Sequence, residues 1–150
     1  MGPFFDTGVA LKLVVEEPLS PIVRQFVQER RVSVPLSRLM EIEIENALQV
    51  LFFRGEISEE QLAGAGKLVS GLIRGGQFRR IGVSLDRVAS ECLFLAPILT
   101  ARTGCRMLDL MHVATAKLLG ASEFVSTDKR QIAAARLCGL RVNDLETLAF

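Results

Sequence analysis

Short apolar runs bounded by polar or turn-forming residues alternate along this chain with longer stretches whose apolar residues recur at helical spacing, and few folds accommodate that alternation. Phe4-Phe5, Val32 to Val34, Ile81 to Val83, Glu123 to Ser126 and Leu140 to Val142 read as strands. Val9 to Val15, a segment opened by Ser20-Pro21 with Ser20 as cap, Ser37 to about Phe53, a segment opened by the capping box Ser58-Glu59-Glu60-Gln61, Leu85 to about Ala101, Arg106 to Leu119 and Lys129 to Leu137 read as helices. Strands that are apolar throughout and separated by helices specify a parallel sheet buried on both faces. The expected fold is therefore α/β: a three-layer α/β/α sandwich with a central, mainly parallel sheet of about five strands. The helices on either side of Gly55 form a protruding hairpin. A length of 150 residues is that of one domain, spanning 1–150.

Composition narrows the functional classes. Hydrophobic residues make up 49% of the chain and charged residues 23%, which excludes disorder. Eighteen Lys and Arg against 17 Asp and Glu leave a net charge of +1, so no global basic field exists and any polyanion must be held by local groups. The three cysteines are an odd number with no close pair, which argues against a disulfide scaffold or a thiolate zinc site and for a reducing cytoplasm. Asp6, Lys12 and Glu16 interrupt the first apolar stretch and no apolar run approaches about 18 residues, so neither secretion nor a membrane span is expected.

Open α/β sheets place ligands at the carboxyl ends of their strands, and Asp6 and Asp128 fall just after two of them. Asp6 also suits a turn, and Asp128 a helix N-cap with Gln131 as its capping-box partner. Glu43 is less ordinary. Leu36, Leu39, Met40, Ile44, Ala47, Leu48 and Leu51 define one apolar stripe, and Glu43 lies within it, whereas Glu41 and Glu45 project to the solvated side. A carboxylate aimed at a core calls for a paired cation or a metal. Asp109 stands in the first turn of its helix, opposite Met107, Met111, Ala114 and Leu118, where it also complements the helix dipole. His112 is the sole histidine and suits packing or hydrogen bonding better than ligation.

With these positions in view, the chain resembles the PIN domain family over nearly its whole length. The start FFDTGVALKLVVEEP resembles an opening in which Asp at a strand end is followed by Thr and a short helix. LSRLMEIEIENAL resembles the segment that supplies a helical Glu, at Glu43. RMLDLMHVATAKLLGASEFVSTDKRQIAAARLCGLRV resembles a run of Asp, His, an alanine-rich helix, Gly, a strand and Thr-x-Asp-Lys/Arg. Order, spacing and size most resemble VapC-type toxins of bacterial and archaeal toxin–antitoxin pairs. Gly8 stands where that family commonly has Ser or Asn, and Ser126 where Thr is usual.

The resemblance implies a Mg²⁺- or Mn²⁺-dependent ribonuclease with Asp6, Glu43, Asp109 and Asp128 as catalytic and metal-binding acids, Asp6 and Asp109 being the main ligands. Hard oxygen donors select such ions over zinc, and the ion activates water for in-line attack on a phosphodiester. Chemistry through the ribose 2′-hydroxyl usually wants paired general acids and bases, and only His112 is present. Arg102, Arg106, Ser126, Lys129 and Arg130 are candidate RNA contacts. An antitoxin protein of VapB type, received by the apolar hairpin, and a second copy of the chain are the partners implied. The alternative is a catalytically weak or inactive RNA-associated protein, which Gly8 keeps open. Asp6-Thr7-Gly8 is also the aspartic-protease triplet, but that fold is almost wholly β, and a phosphatase Asp-x-Asp start is excluded by Gly8.

Overall fold

The computed structural model describes residues 1–149. In chain order the elements are β1 (Phe4–Phe5), α1 (Thr7–Leu11), α2 (Ser20–Arg30), β2 (Val34–Leu36), α3 (Arg38–Phe53), α4 (Glu59–Arg74), β3 (Phe78–Arg80), α5 (Leu85–Thr103), α6 (Met107–Leu118), β4 (Phe124–Ser126), α7 (Lys129–Leu137), β5 (Val142–Asp144) and a closing 3-10 turn, Leu145–Ala149. They group into two compact units, one of residues 1–9 with those from Val83 onward, the other Ala10–Gly82.

The expected single central sheet of about five strands is not formed. The strands make two small parallel sheets, β1-β4-β5 in the first unit and β2-β3 in the second. Pro35 supplies the physical reason. In a parallel ladder alternate residues address opposite neighbours. Val34 donates its N–H to Gln77 and Leu36 accepts from Ile81, both toward β3. Pro35 faces the other way with no N–H to offer, so the far edge of β2 cannot extend a ladder. The three-layer sandwich is thereby corrected to an α/β arrangement of helices around two short sheets.

Strand boundaries also shift. β2 lies two residues later than Val32 to Val34, β3 precedes Ile81 to Val83, and β5 begins at Val142 where the expected strand ended. In β3 only Phe78 is buried while Arg79 and Arg80 are exposed, so no apolar run announces it. Helix starts follow local chemistry more closely. The Ser37 hydroxyl accepts from Met40 N at 3.2 Å, and Ser58 and Gln61 form the reciprocal capping box. Ser20 is different, being the first residue of α2 with Leu19 as its N-cap. Its buried hydroxyl serves the preceding turn instead, donating to Val15 O and accepting from Glu17 N.

The first unit closes around Phe4, Phe5, Phe124 and Val125, all fully buried, with the Phe4 and Phe124 rings stacked at 5.9 Å between centroids. Five consecutive buried residues, His112 to Ala116, run through α6, which packs against both α5 and α7. Met107, expected on the apolar face of that helix, is 71% exposed. The second unit buries Leu36, Met40, Ile44 and Leu48 from the predicted stripe, together with Val23, Val34 and Phe78, while Leu39, Ala47 and Leu51 are half-buried. Among the described residues no helix is long and apolar enough to cross a membrane.

Replacing Phe124 with Ala removes a ring that is fully buried at the centre of the first sheet. The expected cost is about 3–5 kcal/mol of unfolding free energy, measured by urea denaturation.

Candidate functional site

The pairing of Phe4 with Phe124 and Phe5 with Val125 carries β1 and β4 out of the sheet side by side, so Asp6 emerges alongside Ser126. Asp6 is 1% exposed. Its Oδ1 accepts from Val9 N at 2.7 Å, and its Oδ2 accepts from the Ser126 hydroxyl. The same Ser126 oxygen accepts from Asp128 N at 2.9 Å. One buried hydroxyl thus ties the end of β1 to the start of α7. Thr7, next to Asp6, is bonded through Oγ1 to the buried His112 Nε2 at 3.1 Å, which fixes α6 against the same strand end.

Asp128 caps α7, its Oδ1 accepting from Arg130 N at 2.9 Å and Gln131 N at 3.0 Å. Asp109 lies in the first turn of α6, and its Oδ2 accepts from Arg106 N at 2.9 Å. Both acids therefore serve helix starts, and both also line one cavity of about 340 Å³ together with Arg106, Lys129 and Arg130. Two acidic and three basic side chains share its wall. Arg102, in the last turn of α5, is exposed and does not line this cavity. Ser126 has no exposed surface, and its hydroxyl is engaged with Asp6 and Asp128.

Glu43 belongs to the second unit, where it is half-buried on α3 between the buried Met40 and Ile44. Glu41, expected on the solvated side, has a side chain only 16% exposed and bridges Arg38 and Arg80 at 3.1 and 2.9 Å. At position 8 an added Cβ would meet Asp6 Oδ1 at 3.4 Å, an ordinary contact, so the backbone there does not require glycine.

Two acids that sequence reasoning passed over, Asp144 and Glu146, hold Lys129 Nζ at 3.0 and 3.4 Å. The Asp144 hydrogen bond, followed by its charge and the contacts of Glu146, raises the Lys129 pKa above its ordinary value. Asp144 ends β5, so the strand-end rule that singled out Asp6 and Asp128 would have found it had the strand been placed two residues later.

The acid set can be weighed against the divalent ion expected from the sequence. Among the described residues no three His, Cys, Asp or Glu side chains come together to hold a metal ion. Asp109 and Asp128 on one cavity wall form a two-carboxylate donor set. That set fits Mg²⁺ or Mn²⁺, since Mg²⁺ is commonly held by one or two carboxylates and keeps waters of its own, and it lacks the nitrogen and sulfur donors that zinc prefers.

No family model matches the chain, and no curated protein matches it. Solved structures do. FitAcB from Neisseria gonorrhoeae has a TM-score of 0.68 at 14% identity, covering 96% of this chain and 98% of that one. DNA-bound VapBC from Salmonella typhimurium gives 0.67 at 17% identity over 97% and 98%. VapBC2 from Rickettsia felis, bound to a DNA fragment from the promoter, gives 0.61 at 16% over 95% and 98%. These identities establish likeness of fold alone. The assignment to the PIN domain family, and to VapC-type toxins within it, is corrected accordingly: no family model carries it, and the likeness is to chains of FitAcB and VapBC assemblies.

Ser126→Ala removes both the donor to Asp6 and the acceptor for Asp128 N in a fully buried position. A loss of about 1–3 kcal/mol in unfolding free energy is expected, read from chemical denaturation. The three cysteines are free, and burial is the first cause raising the pKa of both the Cys92 and Cys138 thiols. Because the thiolate is the nucleophile, iodoacetamide should modify Cys92 and Cys138 more slowly in the native chain than in the unfolded chain at neutral pH. Mass spectrometry of timed samples checks this.

Proposed function

We propose that this chain is a Mg²⁺- or Mn²⁺-dependent ribonuclease and the nuclease component of a toxin–antitoxin pair. The observation that carries the reading is the cavity where Asp109 and Asp128 stand among Arg106, Lys129 and Arg130. Carboxylates and cations on one wall suit a phosphodiester substrate: the basic side chains offset phosphate charge, and the acids hold a divalent ion. Support also comes from a fold shared with FitAcB and VapBC, the latter a toxin–antitoxin system.

Under this reading Asp109 and Asp128 hold the ion. Helix starts keep both carboxylates in place, since Arg106 N and the N–H groups of Arg130 and Gln131 bond to them. Asp6 acts from behind, fixed by Val9 N and joined through Ser126 to the Asp128 backbone. The ion, when bound, supplies Lewis-acid activation of water and charge neutralisation at the phosphate. Arg106, Lys129 and Arg130 orient the RNA backbone. With no Trp or Tyr in the chain, selectivity rests on RNA shape and unpaired loops more than on aromatic stacking. An antitoxin protein and a second copy of the chain are its partners. Phe52, Phe53 and Leu68 on α3 and α4, each more than two-fifths exposed, are apolar surface available to the former.

A second reading, a catalytically weak RNA-associated protein, is favoured by the absence of three convergent metal donors among the described residues. The two separate cleanly. Cleavage of a structured RNA pool should require Mg²⁺ or Mn²⁺, and Asp109→Asn or Asp128→Asn should lower the rate on the order of a hundredfold or more. Millimolar Mn²⁺ should raise the melting temperature of the native chain. Cleavage that survives both substitutions, or proceeds in EDTA, overturns the proposal. RNA binding with neither cleavage nor metal stabilisation selects the second reading.

A further inference from the structure

The cavity's cations are not equally constrained. Lys129 Nζ lies 3.0 Å from Asp144 Oδ2 and 3.4 Å from Glu146 Oε2, although the Lys129 side chain is 67% exposed. Asp144 is a fixed anchor for it. Its side chain is only 9% exposed. Its Oδ1 accepts from Glu146 N at 3.1 Å, and its main-chain oxygen accepts from Thr147 Oγ1 at 2.7 Å. It also pairs in register with Ser126, the residue whose hydroxyl joins Asp6 to Asp128. The acid that grips Lys129 is therefore built into the same sheet edge as the candidate site.

We propose that Asp144 is a positioning residue, holding the Lys129 ammonium at the cavity so that it contacts an RNA phosphate. The inference rests on the proposed action on RNA. A lysine ammonium has three donors; Asp144 takes one in a hydrogen bond and Glu146 stands at ion-pair distance, which leaves donor capacity for a phosphate oxygen. An unanchored lysine loses rotamer freedom when fixed by a ligand, and anchoring removes part of that cost beforehand. The opposing effect is charge. Asp144 and Glu146 are anions beside a polyanion's path, and by simple Coulomb repulsion their removal tightens binding. The two effects have opposite signs, so the direction of change on removing Asp144 decides between them.

The test uses the full chain and a fluorescein-labelled single-stranded RNA of mixed sequence, with fluorescence anisotropy in EDTA so that binding is read apart from cleavage. Asp144→Asn is the informative change because the amide carbonyl still accepts from Glu146 N, preserving the turn. Its dissociation constant should rise roughly threefold to tenfold. Lys129→Ala should weaken binding similarly and make the salt dependence shallower by about 0.7 in log–log slope. In the Lys129→Ala background, Asp144→Asn should cause no further weakening. Tighter or unchanged binding by Asp144→Asn overturns the inference, as does equal weakening with and without Lys129, which marks a merely structural effect. Absence of RNA binding by the native chain overturns it as well. A chain that shows this coupling yet never cleaves RNA sinks the nuclease reading and leaves the role of Asp144 standing.

Discussion

The Ser126 hydroxyl, donating to Asp6 and accepting from the Asp128 backbone, is the interaction on which the first unit depends. A carboxyl group as buried as that of Asp6 is costly without hydrogen bonds. Ser126 and Val9 N provide them, one from the neighbouring strand and one from the helix that follows. The contact joins a parallel pair whose members are 120 residues apart in sequence. It also sets where α7 begins, and so where Asp128, Lys129 and Arg130 stand.

Helix capping and candidate chemistry converge on the same atoms. Asp109 and Asp128 quench N–H groups that would otherwise lack partners at the starts of α6 and α7. A side chain held in this way has little rotamer freedom left, which is what a binding group needs if it is not to be ordered by its ligand. Structural and functional readings of these acids are thus the same geometry with different consequences. Of the basic side chains around them, Lys129 is gripped by two acids, while Arg102, expected beside them from the sequence, lies outside the cavity and is exposed at the end of α5.

Helix starts were the most legible part of the fold, because a cap acts over three residues. Ser37, Ser58 with Gln61, and Asp128 all cap where the sequence indicated, but Gln131 does not complete a capping box, because Asp128 N is taken by the Ser126 hydroxyl. Helix faces were less so. The stripe on α3 is buried at Met40, Ile44 and Leu48 and half-buried at Leu39, Ala47 and Leu51, whereas α6 is enclosed over five consecutive residues and so shows no single apolar face for periodicity to find. Glu41 looked solvated because one of its two partners, Arg80, is 39 residues away, beyond any local pattern.

The alternation of short apolar runs with helical segments determined by itself that parallel strands would be separated by helices, and strand-end position brought out Asp6 and Asp128. Which strands share a sheet was decided only in three dimensions. Strands of two or three residues carry too few side chains to fix a register locally, and Pro35 closes an edge in a way that matters only once its neighbour is known. Asp144 likewise became visible only when β5 paired with β4, because a strand's end is set by the hydrogen bonds its neighbour supplies.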